Sequence, residues 1–226
     1  METIALERVH NLFASPLMIF QIRDAETLNR QLAAESHAMR SQTAGMQRSN
    51  NKGWHSPDDF FRRTEPGCMT LRSHILRAVQ EATRRVAPNF DFASHVLEAE
   101  GWININGLGG YNAPHDHPGY AWSGCYYVVV PHKKEGRGGS IEFLDPRTNS
   151  TVLAVSGADC FASKCTLDPQ SGLLLIFPSY LKHWVYPNEQ DSDRISIAFN
   201  VRFLQRTRES LGSADGATPD RADRPT

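Results

Sequence analysis

Two histidines stand one residue apart in the segment NAPHDHP at 112–118, between runs rich in aromatic and β-branched residues. Because side chains alternate along a strand, His115 and His117 are expected to project to one face, where two imidazoles can chelate one metal ion. A third histidine, His183, follows an apolar run at 172–177, far enough along the chain for another strand to return beside the first. These three imidazoles predict a metal site.

An arginine and a serine, Arg194 and Ser196, occupy alternate positions in the last apolar run and should share a face. An arginine that points into a β-barrel is costly unless it meets an anion. A metal at the barrel mouth with an arginine and a hydroxyl deeper inside suits a dicarboxylate. One carboxylate can chelate the metal while the other accepts paired hydrogen bonds from the guanidinium.

The part of the chain that precedes these residues, 1–89, is predicted to be mainly helical. Apolar residues at helical spacing and the helix-ending proline Pro88 delimit its helices, and Asp24 is the expected N-cap of the first one. The predicted elements are an apolar opening strand at 12–22, helices at 24–39 and 70–86, and a polar loop at 41–67.

From residue 90 onward, short runs of Val, Ile, Tyr and Phe alternate with Gly, Pro and Asn clusters, which is typical of a β-sandwich or barrel. We therefore expect a mainly β fold with flanking N-terminal helices, a double-stranded β-helix of the jelly-roll, cupin-like type. One domain should cover 1–206, with its β core at 90–206, and the tail 207–226 should be disordered because it has almost no apolar residues. The predicted strands are 95–105, 111–117, 122–130, 139–144, 151–154, 172–177, 183–187 and 194–204.

The composition limits the classes of binding partner that we expect. The chain has 226 residues, enough for one sizeable core, and its 24 Lys+Arg balance 25 Asp+Glu, so we expect no nucleic-acid partner. It shows neither a signal peptide nor an apolar run long enough to cross a membrane, so the predicted location is cytoplasmic and no membrane partner is expected. The apolar opening strand could pair across a homodimer or within its own sheet.

From Trp102 to Phe203 the sequence resembles the 2-oxoglutarate–Fe(II) oxygenases of bacteria and phages, which are related to the prolyl-hydroxylase-like group. The segment NNKGWHS at 50–56 also fits this family. The stretches that carry the resemblance are NINGLGGYNAPHDHPG (104–119), SGCYYVVVP (123–131), GGSIEFLDPR (138–147), GLLLIFPSYLKHWVYP (172–187) and RISIAFNVRF (194–203).

The resemblance implies a hydroxylase that uses Fe(II), 2-oxoglutarate as co-substrate and O2, with oxidative decarboxylation of 2-oxoglutarate to succinate and CO2. It implies that the three histidines named above hold the iron. Arg194 would bind the distal carboxylate of 2-oxoglutarate with help from Ser196. Tyr127 matches a strand tyrosine that also contacts 2-oxoglutarate, and its neighbour Tyr126 would then face the other way. The primary substrate would be a peptide or a small molecule.

One position departs from the wider superfamily, which has a carboxylate where this chain has His117. Strand alternation points the adjacent Asp116 to the opposite face and favours three histidines, whereas a local bulge could turn Asp116 inward as an alternative ligand. Three neutral imidazoles favour a dianionic co-substrate, and they also admit zinc.

Two other classes of function fit the same residues. A cupin-like three-histidine metalloenzyme that does not use 2-oxoglutarate would need another anion for Arg194, and a non-catalytic jelly-roll binding module would hold no tightly bound metal. Three tryptophans are candidates either for the walls of the site or for the core: Trp102, Trp122 and Trp184.

Overall fold

The computed structural model describes residues 7–8, 11–133, 135–147, 155 and 158–206; the predicted strand at 151–154 and the tail 207–226 lie outside them. Short 3₁₀ turns connect some of the elements. In chain order the helices and strands are β1 (Met18–Gln21), α1 (Glu26–Gln42), β2 (Asn50–His55), α2 (Pro66–Val86), β3 (His95–His115), β4 (Trp122–Val129), β5 (Ile141–Leu144), β6 (Lys164–Leu167), β7 (Leu173–Pro178), β8 (His183–Val185) and β9 (Arg194–Gln205).

The strands form one curled antiparallel sheet in the order β1-β7-β4-β9-β3-β8-β5-β6, with β2 also paired to β3. The long strand β3 connects the two halves of this order, because it pairs first with β9 and then with β8. The predicted fold class, a mainly β double-stranded β-helix with flanking N-terminal helices, is confirmed.

A glycine-rich segment lets β3 change partners. Gly109 has φ +75°, and a Cβ on Gly110 would lie 3.0 Å from the carbonyl oxygen of Gly107. Such a close approach of two backbone segments requires glycine. Beyond this segment the register resumes with Asn112 opposite Val185, so the end of β3 lies beside the start of β8.

Helices α1 and α2 cover one face of the sheet. Their apolar stripes, which include Leu32, Ile75 and Val79, pack against Ile103 and Ile197 in the larger hydrophobic cluster. Strand β9 alternates strictly: Ile195, Ile197, Phe199 and Val201 belong to that cluster, whereas the intervening residues face the inside of the curled sheet.

The same alternation separates the two tyrosines of β4, as predicted. Tyr126 faces the helices, where its hydroxyl donates a hydrogen bond of 2.6 Å to Oδ1 of Asn29, and burial raises its pKa to about 12. Tyr127 belongs to a second apolar cluster on the inner side, with Phe143 and Phe177.

Several predicted elements differ from the structure. The segment 50–55 is a strand that pairs with β3, although its polar residues favoured a loop, and β6 was not predicted. The two strands predicted at 95–105 and 111–117 are one continuous strand, because the glycines between them bend the chain without ending its pairing.

The helices also begin at other residues than predicted. Helix α2 begins at Pro66, whose missing N–H costs nothing in the first turn. The predicted N-cap Asp24 is wrong: it has φ +53°, and Ala25 occupies the cap position of α1 without a side-chain hydrogen bond. Among the described residues no helix has the length and apolar character needed to cross a membrane.

The two neighbouring tyrosines provide a test of this architecture. Replacing Tyr126 by Phe leaves the buried Asn29 amide oxygen without its donor, so we expect a loss of about 1–2 kcal/mol in the free energy of unfolding. Replacing Tyr127 by Phe removes a buried hydroxyl that has no hydrogen-bond partner, so the stability should stay within about 0.5 kcal/mol or rise. Urea denaturation measures both, and equal losses in the two variants would contradict the opposite orientation of the side chains.

Candidate metal centre

The structure brings His115, His117 and His183 together at the inner end of β3. One ring nitrogen from each lies within 4.8 Å of one ring nitrogen from the other two. The ring centroids are 4.9 Å apart for His115 and His117, 4.5 Å for His115 and His183, and 5.4 Å for His117 and His183. A single metal ion can lie between three imidazoles at these distances.

Backbone pairing brings the histidines together. His115 is the last residue of β3 and lies directly opposite His183, the first residue of β8. His117 lies just beyond β3, and its position is set by a hydrogen bond of 3.0 Å from its backbone N–H to the carbonyl oxygen of Ser179. The prediction that strand alternation alone places His117 on the shared face is wrong, because this residue is outside the strand.

In two of the three rings, a hydrogen bond to the backbone determines which nitrogen carries the proton. Nδ1 of His115 donates to the carbonyl oxygen of Ala113 at 2.7 Å, and Nδ1 of His183 donates to that of Leu181 at 2.9 Å. A carbonyl oxygen only accepts, so the proton is on Nδ1 and the lone pair of Nε2 is available to a metal.

Desolvation keeps these imidazoles neutral. Burial, together with the nearby His115, lowers the pKa of His183 to about 3 and that of His117 to about 4. The pKa of His115 is also lowered, mainly by burial. Neutral imidazole is the form that binds metals, so the pocket prepares these side chains for ligation.

The alternative ligand Asp116 is not part of this group. Its side chain is exposed, and the residues that the structure gathers within ligand distance of one another are the three histidines. The register of β3 and β8 does shift between Asn112 and His115, but this irregularity does not turn Asp116 inward.

Arg194 is 1% exposed on the inner face of β9. Its Nε donates to the carbonyl oxygen of Gly139 and its Nη1 to the hydroxyl of Ser196, each at 3.2 Å, and its guanidinium lies 5.1 Å from the centre of the Tyr127 ring. Its Nη2 has no hydrogen-bond partner among the described residues. A buried cation with a free donor is stabilised when an anion accepts from it.

Tyr127 contributes a second unpaired group. Its hydroxyl is fully buried near the thiol of Cys125 and the guanidinium of Arg194, without a well-formed hydrogen bond to either. Burial raises the pKa of Tyr127, so it remains a neutral donor. The sheet register places Tyr127 and Asn104 on either side of Ser196, in one row across three strands.

One cavity connects the histidines with Arg194. It is a narrow cavity of about 40 Å³ that opens to solvent. No aspartate or glutamate lines it among the described residues. Its lining includes the three histidines, Arg194, Ser196 and Tyr127, together with Trp102, Asn104, Phe177 and Val185.

Sequence reasoning missed three polar residues around this cavity. Asn104 lines the cavity with a buried, unpaired Oδ1, Asn200 contacts His117, and His55 stacks on Trp102 at 5.3 Å between ring centres. Asn104 could have been found from its position: it follows Trp102 by two residues on the same strand, so alternation places both side chains on one face.

The three tryptophans occupy different environments. Trp102 lines the cavity beside His117. Trp122 is in the core and donates to the Thr83 hydroxyl at 3.0 Å, whereas Trp184 donates to the buried carboxylate of Glu142 at 3.1 Å. Of the three, only Trp102 therefore contributes to the walls of the site.

A jelly-roll fold with clustered histidines and a buried arginine in one cavity has groups that could hold a metal ion and an anion. Residues 100–200 match the family described as "Putative 2OG-Fe(II) oxygenase". This match lies in the β core, and it confirms the family resemblance and the enzyme class that the sequence predicted. None of the curated proteins matches the sequence significantly.

Solved structures similar to this chain share the fold at low sequence identity. A Pseudomonas putida prolyl-4-hydroxylase has a TM-score of 0.58 at 15% identity, with 87% of this chain and 96% of that chain covered. A Trichoplax adhaerens prolyl hydroxylase in complex with a hypoxia inducible factor peptide fragment has a TM-score of 0.56 at 14% identity, with 87% of each chain covered. The non-haem α-ketoglutarate-dependent epimerase SnoN from nogalamycin biosynthesis has a TM-score of 0.58 at 13% identity, with 94% and 91% covered.

The ligand set is tested by two substitutions on adjoining parts of the site. His183→Ala removes the ring that is most deeply buried, and we expect Fe(II) affinity to fall at least about 100-fold. Asp116→Asn changes an exposed side chain and should leave Fe(II) binding unchanged. Anaerobic titration with a competing chelator measures both, and near-complete metal loss in Asp116→Asn would instead support a ligand set that contains Asp116.

Proposed function

We propose that this protein is an Fe(II)- and 2-oxoglutarate-dependent hydroxylase, with His115, His117 and His183 as metal ligands. The single observation that supports this most strongly is the shared cavity. A three-histidine cluster and a buried, incompletely paired Arg194 line the same space. A molecule with one chelating end and one carboxylate end fits both groups at once.

Charge supports a dianion as the occupant. Three neutral histidines contribute no negative charge, so a divalent metal and Arg194 together would bring three positive charges into the cavity. No carboxylate side chain among the described lining residues offsets them. 2-Oxoglutarate carries two negative charges and would offset most of this excess, which is costly to leave uncompensated in a buried site.

The side chains around Arg194 would position the distal carboxylate. Nη2 of Arg194 and the hydroxyl of Tyr127 are both buried and unpaired, and the Ser196 hydroxyl already holds the guanidinium at 3.2 Å. These donors are therefore preorganised for an anion, which lowers the cost of ordering them on binding. Asn104, in the same row as Ser196, could contribute a further amide to the ligand.

The apolar part of the cavity would exclude water from the reaction. Phe177 packs on His183 with 4.8 Å between ring centres, and Trp102 covers His117 at 5.7 Å. Fe(II) with 2-oxoglutarate and O2 supplies oxidative decarboxylation to succinate and CO2, coupled to hydroxylation of a substrate C–H bond. The role of this chain would be to bind, orient and desolvate the reacting groups.

The primary substrate would be a peptide or a small molecule. Both classes occur among the structural neighbours. One is a prolyl hydroxylase in complex with a peptide fragment, and another is an epimerase from nogalamycin biosynthesis. Strand β1 pairs with β7 inside its own sheet, and no other strand among the described residues pairs with its second edge, which a homodimer could use. We retain the predicted cytoplasmic location and the absence of nucleic-acid and membrane partners as part of this proposal.

A second candidate is a cupin-like three-histidine metalloenzyme that does not use 2-oxoglutarate. The exposed position of Asp116 favours this candidate, because the site then has three histidine ligands and no carboxylate ligand. Zinc also accepts a set of three histidines. Conversion of 2-oxoglutarate to succinate distinguishes the two functions, because only the first produces it.

The co-substrate assignment is tested by Arg194→Ala, with Arg202→Ala as the matched control. Arg202 is on the same strand but pairs with Glu98 on the surface. We expect Arg194→Ala to weaken 2-oxoglutarate binding about 10- to 100-fold, because charge-assisted hydrogen bonds are lost, and to leave Fe(II) affinity unchanged. The visible charge-transfer band of the iron chelate, recorded anaerobically, and succinate formation report the effect. Wild-type succinate formation in Arg194→Ala would show that the assignment is wrong.

A further inference from the structure

The three histidines of the candidate metal centre differ in what faces their Nδ1 atoms. Those of His115 and His183 face backbone carbonyl oxygens at 2.7 and 2.9 Å. Nδ1 of His117 instead lies 3.3 Å from the side-chain nitrogen of Asn200. A carboxamide has one donating and one accepting end, so the orientation of the Asn200 side chain determines which nitrogen of His117 carries the proton.

Asn200 is 2% exposed and tightly held. It occupies one row of the sheet with Glu100 on β3 and Ser123 on β4. Its Nδ2 donates to Oε1 of Glu100 at 3.0 Å, and its Oδ1 lies 2.7 Å from the hydroxyl of Ser123. That hydroxyl is also 2.9 Å from the hydroxyl of Ser179, the residue whose carbonyl oxygen holds the backbone of His117.

The observed orientation of this amide favours the tautomer of His117 that is unsuited to a metal. Nδ2 only donates, so Nδ1 of His117 accepts and the proton is on Nε2, which then has no free lone pair. Turning the carboxamide by about 180° presents Oδ1 to His117, moves the ring proton to Nδ1 and frees Nε2. Nδ2 can then donate to Ser123, whose hydroxyl donates to Ser179.

Glu100 opposes this rotation. In the observed orientation its carboxylate accepts from Nδ2 of Asn200, whereas in the turned orientation it would face Oδ1, another acceptor. Two acceptors at hydrogen-bond distance repel, and burial of Asn200 makes the lost hydrogen bond costly. A glutamine at position 100 could donate to the turned Oδ1 and would remove this opposition.

We propose that Asn200 is a positioning residue of the metal centre that selects the tautomer of His117, and that Glu100 favours the tautomer in which Nε2 is protonated. Metal binding then requires the buried amide of Asn200 to rotate. Asn200 and Glu100 therefore set the affinity of the site for the metal without contacting it. The inference rests on the proposed function in one respect only, the role of His117 as a ligand.

The first test observes the tautomers directly in the metal-free, full-length chain. Long-range ¹H–¹⁵N NMR spectra of the imidazole rings should show Nδ1–H for His115 and His183 and Nε2–H for His117. In Glu100→Gln, whose carboxamide can donate to the turned Oδ1 of Asn200, a measurable share of His117 should change to Nδ1–H. An Nδ1–H tautomer of His117 in the wild type, or an unchanged tautomer in Glu100→Gln, would overturn the proposal.

The second test measures Fe(II) affinity by anaerobic chelator competition. Asn200→Leu removes the amide oxygen that, in the turned orientation, accepts from Nδ1–H of the ligating His117, so it should bind Fe(II) about 10- to 100-fold more weakly. Glu100→Gln should bind about tenfold more tightly, and it serves as the informative variant if Asn200→Leu does not fold. The control is Glu98→Gln, which lies on the same strand but pairs with Arg202 at the surface and should match the wild type.

The outcomes separate this inference from the proposed function. A wild-type protein that binds Fe(II) with the same affinity as Glu100→Gln contradicts the role of Glu100 and Asn200 and leaves the proposed function intact. A wild-type protein that binds no Fe(II) contradicts the proposed function, and the NMR measurement still decides whether Asn200 selects the tautomer of His117.

Discussion

The structure depends on the strict alternation of β9, the strand that pairs with β3 on one side and β4 on the other. Its odd-numbered residues from Ile195 to Val201 pack toward the helices, and its even-numbered residues from Arg194 to Asn200 face the cavity or the histidines. A shift of one residue would exchange the two sets and bury Arg194 among the apolar side chains of the core. Pairing on both edges prevents this shift, so the same register that builds the core also builds the site.

Electrostatics then determines what the cavity can bind. Arg194 is buried without a carboxylate partner among the described residues, and the histidines beside it are neutral because burial lowers their pKa values. The protein therefore supplies positive charge and free donors to the cavity, and under the proposed function the negative charge would come from the ligand. Both the metal end and the arginine end of the cavity lack negative charge from the protein, which explains why the proposed co-substrate is a dianion rather than a neutral molecule.

Residues whose types are unusual in a strand could be predicted from the sequence, and common polar residues could not. His115, His117 and His183 were singled out by their spacing, and Arg194 was singled out because a guanidinium that points into a barrel is costly without an anion. Glu100 and Asn200 gave no such signal, since asparagine and glutamate occur on many exposed strands, and Asn104 was marked only by its position two residues after Trp102. Their importance follows from the rows in which β3, β9 and β4 place them, and a register between strands distant in sequence cannot be read from local pattern.

Local pattern by itself determined the mainly β class, the two helices, the opposite orientation of Tyr126 and Tyr127, and the residues proposed to bind a metal and an anion, because alternation and helical spacing are short-range properties. Only the tertiary structure decided that β3 runs unbroken through its glycines and that β2 covers it. It also placed His117 beside the other histidines through a hydrogen bond to Ser179 rather than through strand alternation. These features depend on contacts between segments far apart in the chain, whose free energy is gained only when the whole sheet closes.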